Sequence, residues 1–139
     1  MSRFRRETIQ DIIRNLGRGA DMRDVDLRTA KLSNANLRAA NLYRANMYMT
    51  KLRGADLSGA DLRVAQLYKA DLHGADLSNA NLRWTKLIGT DLHKANLSGA
   101  DLSFTNLSEA KLFGATYSTD TIWPEGFDPV AAGAVLVDD

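Results

Sequence analysis

The sequence predicts an all-β solenoid, one rod of short repeats stacked along an axis. Three observations predict it. Leucine recurs at every fifth position, as in ADLSGADLRVAQLYKADLHGADL from Ala55 to Leu77. A small residue stands two positions before each leucine. The wording also recurs at twenty residues: LSGADLR from Leu57, LSNANLR from Leu77 and LSGADLS from Leu97 resemble one another.

A spacing of five excludes the ordinary elements. An α-helix turns about 100° per residue, so five steps leave successive leucines about 140° apart and no stripe forms. A flat strand alternates its faces with period two, so an odd step sends successive leucines to opposite sides. The chain must bend once per repeat for every leucine to face inward.

The repeat is unbroken over nineteen units with centres from Met22 to Leu112; seventeen centres are Leu and two are Met22 and Met47. The small residue is Ala in fourteen units, Thr at Thr50, Thr85, Thr90 and Thr105, and Val at Val25. Between small residue and centre stands Asp or Asn in fourteen units, with Lys31, Lys51, Gln66, Lys86 and Lys111 as exceptions. Centre and small residue point in, and a large side chain beside a small one fills a narrow tube without voids. The frequent Asp and Asn are expected to bond turn backbone. The twenty-residue recurrence places four repeats in one coil, with coils about 4.8 Å apart. Nineteen repeats then make nearly five coils, a rod of roughly 23 Å.

The A-(D/N)-L-x-x run from Ala20 to Gly114 closely resembles the pentapeptide-repeat proteins. The resemblance implies a right-handed quadrilateral parallel β-helix, and the handedness comes from it alone. The chain divides into residues 1–19, a capping helix; residues 20–119, the β-helix; and residues 120–139, a capping tail.

In the first segment Ile9, Ile12, Ile13 and Leu16 follow helical spacing, with Phe4 extending the stripe. Thr8 is placed to start the helix and Gly17 to end it. Such a helix would cover the open first coil. In the tail, Tyr117 and Ile122 are expected to keep centre positions, while Thr116, Asp120 and Pro124 break the pattern. Trp123, Phe127 and the VAAGAVLV run are apolar enough to fold over the last coil, and Asp128-Pro129 reads as a helix start. The T-x-W-P-x-G-F-D-P run is similar to the tail of many cyanobacterial members of the family.

The 139 residues contain no Cys, so neither disulfides nor thiolate chemistry are open to the chain. No apolar run approaches a membrane span, and the start lacks a signal-peptide core; the cytoplasm is the expected location. Charge is uneven: residues 1–19 and 20–119 each carry +3, and residues 120–139 carry −5. A basic end and an acidic end could steer rods head to tail, or the acids simply keep the tail soluble.

Outward residues sort into columns at twenty-residue spacing. One reads Asp24, Arg44, Val64, Trp84, Phe104; beside it run Arg23, Tyr43, Arg63, Arg83, Ser103. The next side carries Arg28, Tyr48, Tyr68, Ile88, Ser108. Tyr43, Arg44, Tyr48, Arg63, Val64, Tyr68, Arg83, Trp84, Ile88 and Phe104 form the candidate partner surface, because aromatics and Arg on a rigid face are the makings of a hot spot. The same stacking also shields the ladder by cross-strand packing. A third column holds His73 and His93, with Asp71 and Asp91 in the column beside them. Two His and two Asp are a conceivable metal set, but on an exposed side with no supporting groups they read as neighbours by accident of the repeat. Lys51 with Asp71, and Asp91 with Lys111, are expected as exposed ion pairs of little worth.

Nothing converges for catalysis. Serines occupy repeat positions without a partnered His and acid, no phosphate loop is spelled out, and a tube filled by Leu and Ala leaves no pocket. No catalytic, cofactor-binding or metal residue is assigned. The reading is a non-catalytic, rigid protein-interaction module with an unidentified protein partner, monomeric or weakly self-associating through its caps. The alternative is a DNA-mimicking inhibitor of type II topoisomerases, as some family members are. It ranks below because a phosphate mimic needs concentrated negative charge and this repeat region is positive. That +3 is also too small to favour nucleic acid as a ligand.

Overall fold

The structure, a computed structural model, describes residues 17–137. The expected N-terminal helix therefore lies, up to Leu16, outside the described residues.

The architecture is a ladder of parallel bridges. Asp21 pairs with Asn41, Asn41 with Asp61, Asp61 with Asn81 and Asn81 with Asp101, and the other three sides run alike from Asp26, Lys31 and Asn36. Each rung but the last, Asp101 to Ile122, joins residues twenty apart, four repeats along the chain. The residue before each centre forms the rung, and the centres themselves face in.

Backbone bookkeeping explains the repeat unit. Four of the five N–H groups in a unit find carbonyls. In the first unit and its neighbours, Asn41 N–H donates to Ala20 (2.9 Å), Met22 to Asn41 (2.8 Å), Asp24 to Tyr43 (2.9 Å) and Val25 to Met22 (3.2 Å). The fifth N–H belongs to the residue just after the centre. In all fourteen units with Asp or Asn before the centre, that side chain's Oδ1 accepts it, as expected from the sequence. This is the Asx turn, a side chain standing in for a missing carbonyl.

The turn sets a second rule. Its N–H to carbonyl bond spans three residues, and its third residue, two after the centre, has positive φ, the arrangement of a type II turn. Glycine suits that position: Gly99 has φ +71°, and a Cβ there would run into the Asn79 side chain. Yet Val64 (φ 62°), Trp84 (62°) and Phe104 (63°) adopt it too.

The core is the stack of centres and small residues, from Met22 through Leu102 almost wholly buried. Each buried Leu contributes roughly 1.5–3 kcal/mol. The buried Thr50, Thr85 and Thr90 hydroxyls donate to the Leu27, Leu62 and Leu67 carbonyls at 2.7, 2.7 and 2.6 Å. Thr thus fits the small position with its polar atom satisfied.

The tail departs from expectation in two ways. Tyr117 keeps its buried centre, but Ile122 does not; it makes the rung to Asp101 and is exposed. One extra residue in the turn after Tyr117 shifts the register, so Thr121 takes the small position and Trp123 follows the rung where a centre would stand. The Thr121 hydroxyl donates to the Leu97 carbonyl (2.8 Å) and accepts from Ser118 N–H (3.0 Å), tying the wider turn. Trp123 meets Tyr117 edge-on (5.3 Å) and stacks on Phe127 (5.2 Å), and both Trp123 and Phe127 pack against the core.

The helix expected from Asp128-Pro129 is also absent: the segment makes only a turn. Asp128 Oδ1 does accept from Ala131 N–H (3.1 Å), but Ala134 N–H returns to the Pro129 carbonyl (3.0 Å) after Gly133 at φ +89°. That left-handed residue closes the turn before a second can form. Strand β1 (Thr116–Tyr117) then receives strand β2 (Val135–Leu136) in parallel.

Candidate functional site

The candidate surface follows from the turns. The two residues after each centre project outward, and the twenty-residue rungs stack their successors above them. Trp84 and Phe104 occupy the same turn position on successive coils. Their rings stack at 4.6 Å with planes 9° apart, and they are 55% and 56% exposed. The Arg83 guanidinium lies over the Phe104 ring at 5.2 Å, and Arg63 lies over the Tyr43 ring at 5.2 Å.

Each arginine of this surface is also held by a carboxylate. Arg63 grips Asp61 with two bonds of 2.9 and 2.7 Å, Arg83 reaches Asp101 at 3.4 Å, and Arg44 reaches Asp24 at 3.3 Å. The Arg63 guanidinium keeps the Asp61 carboxyl below the usual carboxylate range, as Arg28 does for Asp26. The two short bonds hold the Arg63 guanidinium flat, while Arg44 and Arg83 each make one longer contact.

The ten sequence-predicted residues are not equally available. Arg44, Tyr48, Arg63, Trp84 and Phe104 are exposed; Tyr43, Val64, Tyr68, Arg83 and Ile88 are half-buried. Among the described residues no ring contact joins Tyr48 or Tyr68 to the Trp84–Phe104 pair. Sequence reasoning passed over Met49, exposed beside Tyr48, because it sought aromatics and arginine. It also missed an apolar group at the far end: Phe113, Ile122, Val130, Val135 and Leu136. Ile122 was hidden by the register slip, and Leu136 by the expectation of a lid.

The other columns are quieter. His73 and His93 stand 6.2 Å apart with rings tilted 45°, and His93 Nδ1 is bonded to Asp91 Oδ1 at 2.8 Å. The expected Lys51–Asp71 and Asp91–Lys111 ion pairs do not form. Asp71 is turned toward His73 N–H (3.1 Å) and Arg53 (3.1 Å), and Asp91 toward His93. Asp71 spends Oδ1 on its own turn and Oδ2 on Arg53 of the coil below, and Asp91 spends Oδ1 on the N–H and ring of His93, so neither carboxylate meets the lysine. Asp56 and Asp76 stack as like charges, each relieved by a serine: Ser58 and Ser78 donate N–H and Oγ–H to them.

Among the described residues no helix is long and apolar enough to cross a membrane. No curated protein matches the sequence. Several solved structures are similar, three of them as follows. The pentapeptide repeat protein Rfr23 from the cyanobacterium Cyanothece 51142 is 29% identical, with a TM-score of 0.68 over 82% of this chain and 96% of that one. A pentapeptide repeat protein of the Arabidopsis thaliana thylakoid lumen is 29% identical, with a TM-score of 0.50 over 85% and 73%. QnrB1, a plasmid-mediated fluoroquinolone resistance protein, is 16% identical, with a TM-score of 0.53 over 86% and 64%, a likeness of fold alone. The family described as pentapeptide repeats matches residues 20–59, 50–83 and 75–114, in 8 copies. With the ladder, the buried leucines and this match together, the chain belongs to the pentapeptide-repeat family.

Proposed function

We propose that the protein is a rigid, non-catalytic interaction module whose partner protein docks on the sides bearing Trp84 and Phe104. The observation that carries this reading is their exposed parallel stack, with Arg83 laid over Phe104. Two large rings held flat lose little freedom when a partner covers them, and Arg83 over Phe104 adds planar donors. The rod is a right-handed quadrilateral β-helix of nearly five coils, working in the cytoplasm as a scaffold that positions or blocks its partner with little change of its own shape. The rungs at twenty residues support four repeats per coil. The type II topoisomerase reading ranks below it, since the repeat region is net positive.

The test is retention of proteins from a cyanobacterial lysate on the immobilised protein and on a Trp84→Ser, Phe104→Ser variant of matched thermal unfolding. A protein held by the first and released by the second supports the docking face. Equal retention by both removes these sides as the site.

A further inference from the structure

The C-terminal end of the rod has the chemistry of a second docking surface. Five of the nine large apolar side chains exposed among the described residues fall in the last coil and tail: Phe113, Ile122, Val130, Val135 and Leu136. Leu136 is the informative one. It pairs in register with Tyr117, which is 9% exposed, yet Leu136 itself is 54% exposed. β2 thus continues the inward-facing series of the core by one more layer and leaves that layer uncovered.

Its charge restricts what can cover it. Residues 120–139 carry five acids and no base. Two such ends brought face to face would repel, so an isologous pairing of C-terminal ends is disfavoured. The complement is written into the same chain. Residues 1–19 carry five Arg against Glu7 and Asp11, interleaved with Phe4, Ile9, Ile12, Ile13 and Leu16. A basic apolar segment suits an acidic apolar surface. The described chain begins at Gly17, at the first coil, and the ladder runs five rises of about 4.8 Å from Asp21 to Ile122 at the other end. A segment folding back on its own rod would have to run that length before its apolar residues met the surface. A second copy stacked in line meets it directly.

We infer that the C-terminal end of one copy, at Val130, Val135 and Leu136, receives the basic N-terminal segment of a second copy. The contact is heterologous and does not close, so copies add head to tail. It is separate from the Trp84–Phe104 sides and leaves them free along the assembly.

Sedimentation of the full chain tests this with two variants of matched thermal unfolding. Arg3→Glu, Arg5→Glu, Arg6→Glu blocks the N-terminal end, and Val130→Asp, Leu136→Asp blocks the other. The native protein is expected to form species beyond a dimer as concentration rises, weakened at least tenfold in 0.5 M salt. Each variant alone is expected to remain monomeric, and their equimolar mixture to form a dimer and stop there, because each retains one competent end. Combining the arginine substitutions with Asp120→Lys, Glu125→Lys and Asp128→Lys in one chain should restore association by exchanging the charges. A native protein that stays monomeric at millimolar concentration overturns the inference. So does self-pairing by the arginine variant alone, which would mean that C-terminal ends meet each other. A mixture that does not pair overturns it as well.

Discussion

Asn81 Oδ1 accepts the backbone N–H of Arg83 at 3.2 Å, and one repeat later Lys86 has no equivalent to offer Ile88. The five units with Lys or Gln before the centre leave that N–H without a protein partner among the described residues. Lys86→Asn should therefore raise stability by about 0.5–1 kcal/mol, and Asn81→Ala should lower it by about 1 kcal/mol. Urea unfolding midpoints check both; a neutral Lys86→Asn would show that water satisfies this N–H equally well.

The turns make a prediction of opposite sign at two positions. Val64 is β-branched at φ 62°, where such a side chain is strained. Val64→Gly should stabilise by about 0.5–1 kcal/mol despite the added freedom of the unfolded chain. Gly99→Ala should cost about 1–3 kcal/mol, because the new Cβ meets Asn79. Thermal melts that rank the two substitutions the other way would refute the turn argument.

Thr90 is buried with its hydroxyl on the Leu67 carbonyl. Thr90→Val keeps the shape and removes the donor, for an expected loss of about 1 kcal/mol. Denaturant unfolding measures it, and a variant as stable as the parent would place that hydroxyl bond at no net value.

The Trp84–Phe104 stack should couple the two residues in the free protein. A double-mutant cycle to Ala is expected to give about 0.5–1.5 kcal/mol. Zero coupling would leave the rings to a binding role alone.

The depressed carboxyls give the pH response. Hydrogen bonds from Arg28 and Arg63 lower Asp26 and Asp61, and the Ser58 hydroxyl lowers Asp56. A carboxyl lower when folded stabilises fully above its unfolded value of about 4 and loses that contribution as pH falls through the folded value. The urea midpoint should hold from pH 7 to about 5 and drop below about 4. Asp61→Asn should flatten part of the drop.

Most of the fold was legible because the repeat leaves the backbone few choices. Leucine every fifth residue, Asp or Asn before it and a small residue before that each answer one demand: burial, the fifth N–H, and room in the tube. The tail was not legible because Tyr117 and Ile122 also stand five apart. The shift comes from Ser118 and Thr121, whose side chains hold a wider turn that spacing does not reveal. The ion pairs failed for a related reason. Asp71 gives Oδ1 to its own turn and Oδ2 to Arg53, and a column diagram shows neither bond. On the surface, the sequence named Trp84 and Phe104, but ring orientation and the availability of Tyr68 and Ile88 depend on neighbours above and below.

The rungs at twenty residues also make chain length an angular coordinate. An insertion of twenty residues within the repeats would lift everything downstream by one storey and leave each side chain on its original wall. An insertion of five would keep the core continuous while rotating every later residue to the next wall. A Trp placed by such a change would sit in an equally stable rod and face a different direction. For a protein of this kind, the number of repeats before a residue is as much a part of its address as the residue itself.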